Sequence, residues 1–135
     1  MIEMRSFRTT CVALLLIGAV AAPAAAAKRA AYDQAVGEVL AAHFIKDRCS
    51  GLATVGGSDY QSYVLTATEL TAVQGLRRQK MRKFLFYGRS DWLKGQVRKV
   101  LDDRNVEFSN KKSLCAFGRG VAGTEDAIGR FLVKE

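Results

Sequence analysis

Two cysteines, Cys49 and Cys115, place the strongest constraint on how this chain can fold. They are the cysteines that remain if residues 1–27 are removed as an export signal, whereas Cys11 leaves with that signal. Exported proteins meet an oxidising compartment, where a pair of thiols usually forms a disulfide. A redox-active pair would have a C-x-x-C spacing or a neighbouring histidine, and neither is present. We therefore predict a structural Cys49–Cys115 disulfide.

Residues 1–27 have the features of a cleaved secretory signal peptide. Two arginines near the start precede an apolar run, and Pro23 separates that run from small residues of the A-x-A type that end at Ala27. A transmembrane anchor is the alternative, but the run is rich in alanine, is interrupted by Pro23 and is shorter than the roughly 20 residues that a span requires. A lipoprotein signal would carry its cysteine at the far end of the run, whereas Cys11 stands at the near end. We expect a periplasmic or secreted protein that is not integral to a membrane.

Removal of this leader leaves residues 28–135, a length that suits one domain with one modest core. Pro23 is the only proline of the chain, so residues 28–135 contain none. No Asn-Gly or Asp-Gly pair separates alternating apolar runs, and Ala, Leu, Val, Lys and Arg are abundant. These features predict an all-α fold, a small bundle of about four to five helices stapled by the disulfide.

The spacing of apolar residues predicts where the first two helices lie. One helix is expected over about 31–48, followed by a loop over 52–57. Ser58, with Gln61 three residues later, has the spacing of a capping box and predicts a second helix from about Asp59. The inner face of this helix should carry the following residues: Tyr60, Tyr63, Val64, Ala67 and Leu70.

The middle of the chain predicts a third helix. The pattern of the second helix first continues less regularly over 73–85, where Gly75 favours a bend because glycine weakens a helix by about 1 kcal/mol relative to alanine. Ser90 is then a good N-cap for a helix over about 91–104, which Asn105 should end.

The last part of the chain predicts two further helical pieces. A connector over 106–110, either a loop or a short extended piece, precedes a fourth helix that holds Cys115 toward the end of the first. Three glycines argue against a rigid continuous helix here: Gly118, Gly120 and Gly123. Alternatively, the first two of them and Gly129 allow two helices to approach closely. Thr124 is a cap for a short last helix, with the following inner residues: Ile128, Phe131 and Leu132.

Two segments near the end of the chain carry a resemblance to a known family. They are Leu114–Arg119 (LCAFGR) and Ala127–Leu132 (AIGRFL). Together with the leader and an earlier cysteine after the first helix, they resemble a domain-of-unknown-function family of small exported alphaproteobacterial proteins. In that family the earlier cysteine is usually followed by proline, whereas Cys49 is followed here by Ser50-Gly51. The resemblance implies a helical exported domain and supplies no catalytic or ligand-binding residues.

Residues that usually carry enzyme or metal chemistry are scarce. His43 is the sole histidine and lies on or beside the apolar face of the first helix, so we interpret it as a half-buried packing residue. An acidic trio (Asp102, Asp103 and Glu107) offers weak cation binding at most, because neighbouring positions on a helix diverge by about 100°. No P-loop, zinc-protease, serine-hydrolase, haem-attachment or EF-hand motif is present. We predict no cofactor, no metal site and no enzyme activity.

A basic run is the feature with most functional content. Its members are Arg77, Arg78, Lys80, Arg82, Lys83, Arg89, Lys94, Arg98 and Lys99. Asp91 is the single acid within it, so the run holds more positive charge than the rest of 28–135 can offset. Such a concentration attracts anionic surfaces. The residues expected to bind them are Arg77, Arg78, Arg82, Lys83, Lys94 and Arg98. Aromatic residues interleave with the run, and a solvated face over an aromatic core is the simpler interpretation.

These observations leave two functional hypotheses from different classes. The first is a non-enzymatic exported domain that binds an anionic lipid, a cell-envelope polymer or an acidic protein through the basic face. Nucleic acid is not expected as the partner, because the protein is predicted to be exported. The alternative is a periplasmic protein-binding or chaperone-like module with an apolar groove. An exposed apolar patch of several hundred square ångströms would favour the second hypothesis.

Overall fold

The computed structural model describes residues 24–57, 59–71 and 90–135, and within them it is mostly helical. In chain order its elements are α1 (Ala24–Arg48), β1 (Leu52–Thr54), α2 (Tyr60–Thr71), α3 (Ser90–Asp102), α4 (Lys111–Val121), a 3-10 turn (Gly129–Phe131) and β2 (Leu132–Lys134). The predicted small helical bundle is confirmed, and a two-stranded sheet is added to it. Ser58 and the predicted continuation over 73–85, with its bend at Gly75, lie outside the described residues.

Helix α1 is the centre of the core and begins earlier than predicted. Val36, Val39 and Ile45 on this helix are fully buried. The helix starts at Ala24 instead of near residue 31, because its first turns are rich in alanine, the residue with the highest helix propensity. The start near residue 31 was predicted from the spacing of apolar core residues, and Ala35 is the first residue of α1 that the structure describes as buried. The alanine-rich turns before it do not contribute to that spacing.

The predicted disulfide between Cys49 and Cys115 is confirmed. Their Sγ atoms are 2.02 Å apart and their Cα atoms 5.4 Å apart, and both residues are buried. The bond joins the chain just after α1 to the middle of α4 across a sequence separation of 66 residues. In the chain-entropy model, closing a loop of this length stabilises the folded state by about 4 kcal/mol. The staple therefore fixes the two helices that hold the core together.

Helix α4 passes unbroken through two glycines, so the prediction of an interrupted helix was wrong. Asn110 caps it by accepting a hydrogen bond from the Ser113 amide at 3.1 Å. A Cβ atom at Gly118 would lie 2.6 Å from the Cγ2 atom of Ile45, whereas one at Gly120 would meet nothing within 4 Å. The alternative interpretation, a close approach of two helices, is therefore confirmed at Gly118.

Strands β1 and β2 replace two predicted features. Residues 52–54 were predicted as loop, and Leu132 was predicted to lie on a short last helix. Instead 52–54 and 132–134 pair antiparallel, with Leu52 opposite Lys134 and Thr54 opposite Leu132. The residues expected on the inner face of that last helix are nevertheless buried: Ile128, Phe131 and Leu132. Burial was predicted correctly here and the backbone conformation was not.

The predicted second and third helices are confirmed over the described residues 60–71 and 90–102. Asp59 caps α2, since its Oδ2 atom accepts from the amide of Ser62 at 3.0 Å. Tyr63, Val64 and Ala67 are buried as predicted. Leu70 was assigned to the inner face of α2 and is 42% exposed, so that assignment was wrong. Asn105 ends the turn after α3 in the left-handed region, with a φ of 56°.

Candidate anion-binding site

Two of the six residues predicted to bind an anion lie in the described part of the chain. Lys94 and Arg98 are both exposed on α3 and stand one helical turn apart, so they share a face of that helix. The other four lie outside the described residues: Arg77, Arg78, Arg82 and Lys83. Helix α3 therefore presents the described part of the basic face.

A pair of stacked phenylalanines links this face to the end of α1. The rings of Phe44 on α1 and Phe108, in the connector after α3, are stacked with centroids 4.5 Å apart. The guanidinium carbon of Arg98 lies 5.0 Å from the Phe108 centroid. That of Arg48 lies 3.7 Å from the Phe44 centroid and 5.6 Å from the Phe108 centroid. We call these four residues the arginine–phenylalanine cluster.

Two exposed cations are thus held against one aromatic surface. Cation–π contacts within about 6 Å of a ring centroid contribute roughly 0.5–1 kcal/mol at exposed sites. Phe44 and Phe108 are partly buried, whereas Arg48 and Arg98 are exposed. The rings restrict where the two guanidinium groups lie while leaving them open to solvent. Less side-chain entropy is then lost when a ligand binds them.

Among the described residues, no protein acceptor is found for the hydrogen-bond donors of Arg48 and Arg98. Within the described ranges neither side chain has a carboxylate partner or donates a hydrogen bond to a protein oxygen. Three other arginines donate to backbone carbonyl oxygens: Arg104 to Val100, Arg119 to Ser50 and Arg130 to Leu70. Guanidinium groups bind carboxylate and phosphate through their N–H edges, so the cluster keeps free the part of each arginine that recognises an anion.

Acidic residues limit the extent of this surface. Asp91 lies one turn before Lys94 and Asp102 one turn after Arg98, and both are exposed on α3. Asp47, next to Arg48, is already paired with Lys46 at 3.3 Å. Acidic residues thus border Lys94 and Arg98 along α3, while Arg48 and Arg98 meet at Phe108.

Sequence reasoning missed Arg48 as a site residue. Its position four residues after Phe44 on a helix was a usable signal, because side chains at this spacing touch. The contact of both residues with Phe108 could not be predicted from the sequence, because it depends on how α1 packs against the connector after α3.

His43 is half-buried, as predicted, and packs between two tyrosines. Its ring is stacked on Tyr63 with centroids 5.8 Å apart and meets Tyr60 edge-on at 5.2 Å. Its Nε2 atom lies 3.3 Å from a carboxylate oxygen of Asp47. Burial lowers the pKa of His43, and the nearby Asp47 carboxylate opposes that effect only in part.

The acidic trio does not assemble into a metal site. All three of its residues are exposed: Asp102, Asp103 and Glu107. Across the described ranges no three His, Cys, Asp or Glu side chains are grouped as a metal ion would require.

The described surface offers little apolar area for a groove. Leu70 at 42% and Val133 at 38% are the exposed large hydrophobic residues among those described. They lie on α2 and β2, and single exposed residues of this kind are normal on protein surfaces.

Comparison with known proteins gives no relative from which a function follows. No family model, no curated protein and no solved structure matches this chain. Within the residues that the structure describes, every helix is too short or too polar to cross a lipid bilayer.

Proposed function

We propose that this protein is an exported, non-enzymatic helical domain that binds an anionic surface or partner through its basic face. Arg48, Lys94 and Arg98 are the described part of that face. The observation that carries this proposal is the arginine–phenylalanine cluster, where aromatic rings hold two exposed guanidinium groups. Neither guanidinium group has a carboxylate partner among the described residues. The disulfide supports export, because such bonds persist in oxidising compartments.

The proposed partner is an anionic lipid, a cell-envelope polymer or an acidic protein. All three present phosphate or carboxylate groups, which guanidinium edges bind through paired hydrogen bonds. Four further residues predicted from the sequence to bind an anion lie outside the described ranges: Arg77, Arg78, Arg82 and Lys83. Attraction between exposed charges weakens with salt, so binding should fall as ionic strength rises.

Charge reversal within and outside the cluster tests this function. Arg98→Glu and Arg119→Glu change the net charge equally, but Arg119 lies outside the cluster and donates to the Ser50 carbonyl at 3.2 Å. Binding would be measured to vesicles of phosphatidylglycerol in phosphatidylcholine, and to polyglutamate as a carboxylate polymer. We expect Arg98→Glu to weaken binding roughly tenfold or more, and Arg119→Glu to weaken it about twofold. Circular dichroism would establish that both variants fold.

Two results would contradict the proposal. One is an equal effect of both reversals, which would mean that net charge and not this face determines binding. The other is binding that stays constant between about 20 and 300 mM salt, which would indicate an apolar contact. A combined reversal at Arg82, Lys83 and Lys94 examines the wider face, and we expect it to weaken binding and flatten its salt dependence.

A further inference from the structure

His43 lies where α1 meets α2, and one of its ring nitrogens has no partner. The Nε2 atom is 3.3 Å from Asp47 Oδ2. Because an ionised carboxylate only accepts hydrogen bonds, the neutral ring is stabilised with its proton on Nε2, facing Asp47. The Nδ1 atom is buried and has no hydrogen-bond partner among the described residues. In the neutral ring Nδ1 is an acceptor, and protonation would make it a buried donor with nothing to accept its hydrogen.

The same histidine contributes to the attachment of α2. Tyr63 is fully buried, stacks on His43 and donates its hydroxyl hydrogen to the Val39 carbonyl oxygen. Tyr60 meets the His43 ring edge-on, with centroids 5.2 Å apart. The far end of α2 is held by a hydrogen bond of 3.4 Å from Arg130 to the Leu70 carbonyl oxygen. A change at His43 therefore acts directly on the two tyrosines that dock the start of α2.

We propose that protonation of His43 releases the start of α2 from α1, so that mildly acidic surroundings expose the apolar face that α2 now buries. On α2 that face consists of Tyr63, Val64 and Ala67. Release lets water reach Nδ1 and accept its hydrogen, which the docked arrangement does not allow. This device is independent of the proposed anion binding, since the arginine–phenylalanine cluster lies on α1 and beside α3.

The groups around His43 determine whether docking of α2 weakens or strengthens as the pH falls. On its own helix, Asp47 favours the protonated ring and Lys46 disfavours it. On α2, burial raises the pKa of Tyr60 to about 12 and raises the pKa of Tyr63 well above 10.0, so both stay neutral in this range. Burial of the ring outweighs Asp47 and lowers the pKa of His43 in the docked state. The released state thus binds the proton more tightly, and docking weakens as the pH falls below the ordinary value of 6.5.

Amide hydrogen exchange on the purified, oxidised protein tests the proposal. Exchange in 60–71 and in α4 would be compared between about pH 7.5 and pH 5, after correction for the intrinsic pH dependence of exchange. We expect protection of 60–71 to fall about tenfold for each pH unit by which docking lowers the pKa of His43, while α4 stays protected. Since His43 is the only histidine in the sequence, its ring protons report its titration by NMR without ambiguity.

Two variants make the test specific to His43. His43→Gln keeps a polar side chain that does not titrate. Protection of 60–71 in this variant should therefore be independent of pH in this range, whether it is higher or lower than in the wild-type protein. Asp47→Asn removes the charge that favours the protonated ring, so the transition should move to lower pH. The proposal is overturned if His43→Gln retains the pH dependence, or if His43 titrates in the native protein while protection of 60–71 stays constant.

Discussion

Glu38 is a buried carboxylate on α1 whose charge works against the folded state. It is 7% exposed. Burial raises the pKa of Glu38 above the ordinary 4.5, and the charges of Arg130 and Arg104 offset that effect only in part. A raised pKa means that the folded state binds the proton more tightly, so the cost is full above the folded-state pKa and disappears as the pH falls below 4.5. We predict that Glu38→Gln stabilises the protein at pH 7, and that the gain shrinks toward pH 4.

Urea unfolding at both pH values measures this difference. Glu125 supplies a matched control, because it is exposed and Glu125→Gln should change the free energy of unfolding by less than about 0.5 kcal/mol. A loss of stability for Glu38→Gln at pH 7 would show that the charge is needed beside Arg104 and Arg130.

Three glycines test how much stability is lost when a Cβ atom is added, because the space around each of them differs. A Cβ at Gly129 would lie 2.0 Å from the carbonyl oxygen of Val121, a backbone atom that cannot move aside. At Gly118 the nearest atoms belong to the Ile45 and Leu52 side chains, and at Gly120 there is open space. We predict that Gly129→Ala costs most, that Gly118→Ala costs about 1–3 kcal/mol, and that Gly120→Ala is neutral or stabilising by up to about 1 kcal/mol. Denaturant unfolding of the three variants gives the order directly, and equal effects would contradict it.

At the scale of elements, the turn between α4 and β2 depends on one carboxylate. Asp126 accepts hydrogen bonds from the amides of Ile128 at 2.8 Å and Gly129 at 3.0 Å, and lies 3.5 Å from Arg104. Burial favours its neutral form, but the two amides and Arg104 together outweigh that effect and lower the pKa of Asp126 below 3.8. A lowered pKa gives stability that is present above 3.8 and is lost as the pH falls through the folded-state value.

We predict that Asp126→Asn destabilises the protein at pH 7 and makes its stability depend less on pH below about 4. Asparagine keeps an oxygen that can accept from the two amides, so the difference isolates the charge. Thermal unfolding followed between about pH 2.5 and pH 7 checks this result. An unchanged acid profile would mean that other carboxylates dominate acid unfolding.

The sequence predicted the helices of this fold better than its strands. Helices α2 and α3 each have an apolar stripe of sufficient length for the spacing to be recognised, although Asp59 caps α2 and Ser58 was predicted to do so. Strands β1 and β2 have three residues each, too few to show an alternating pattern. Gly118 was ambiguous for a physical reason: glycine both weakens a helix and allows close packing, and only the position of Ile45 decides between the two.

At the scale of the whole molecule, the candidate site is assembled from distant parts of the chain. Lys94 and Arg98 were found from local charge. The sequence did not predict that Arg48 and Arg98 contact the stacked rings of Phe44 and Phe108. Periodicity along one helix carries no information about which elements pack together. The disulfide was predictable since only one pairing is open to two cysteines once Cys11 is set aside.

The disulfide is the subject of the last prediction, because it links the central helix α1 to α4. Closing a loop with a sequence separation of 66 residues restricts the unfolded chain, so its loss should lower the free energy of unfolding by about 4 kcal/mol. Reduced wild-type protein and the Cys49→Ala, Cys115→Ala double variant regain the same chain freedom, but the variant also loses two buried sulfur atoms. If loop entropy dominates, both should lose nearly the same stability in urea unfolding. A much smaller loss in the reduced protein would instead assign the contribution of this bond to packing between α1 and α4.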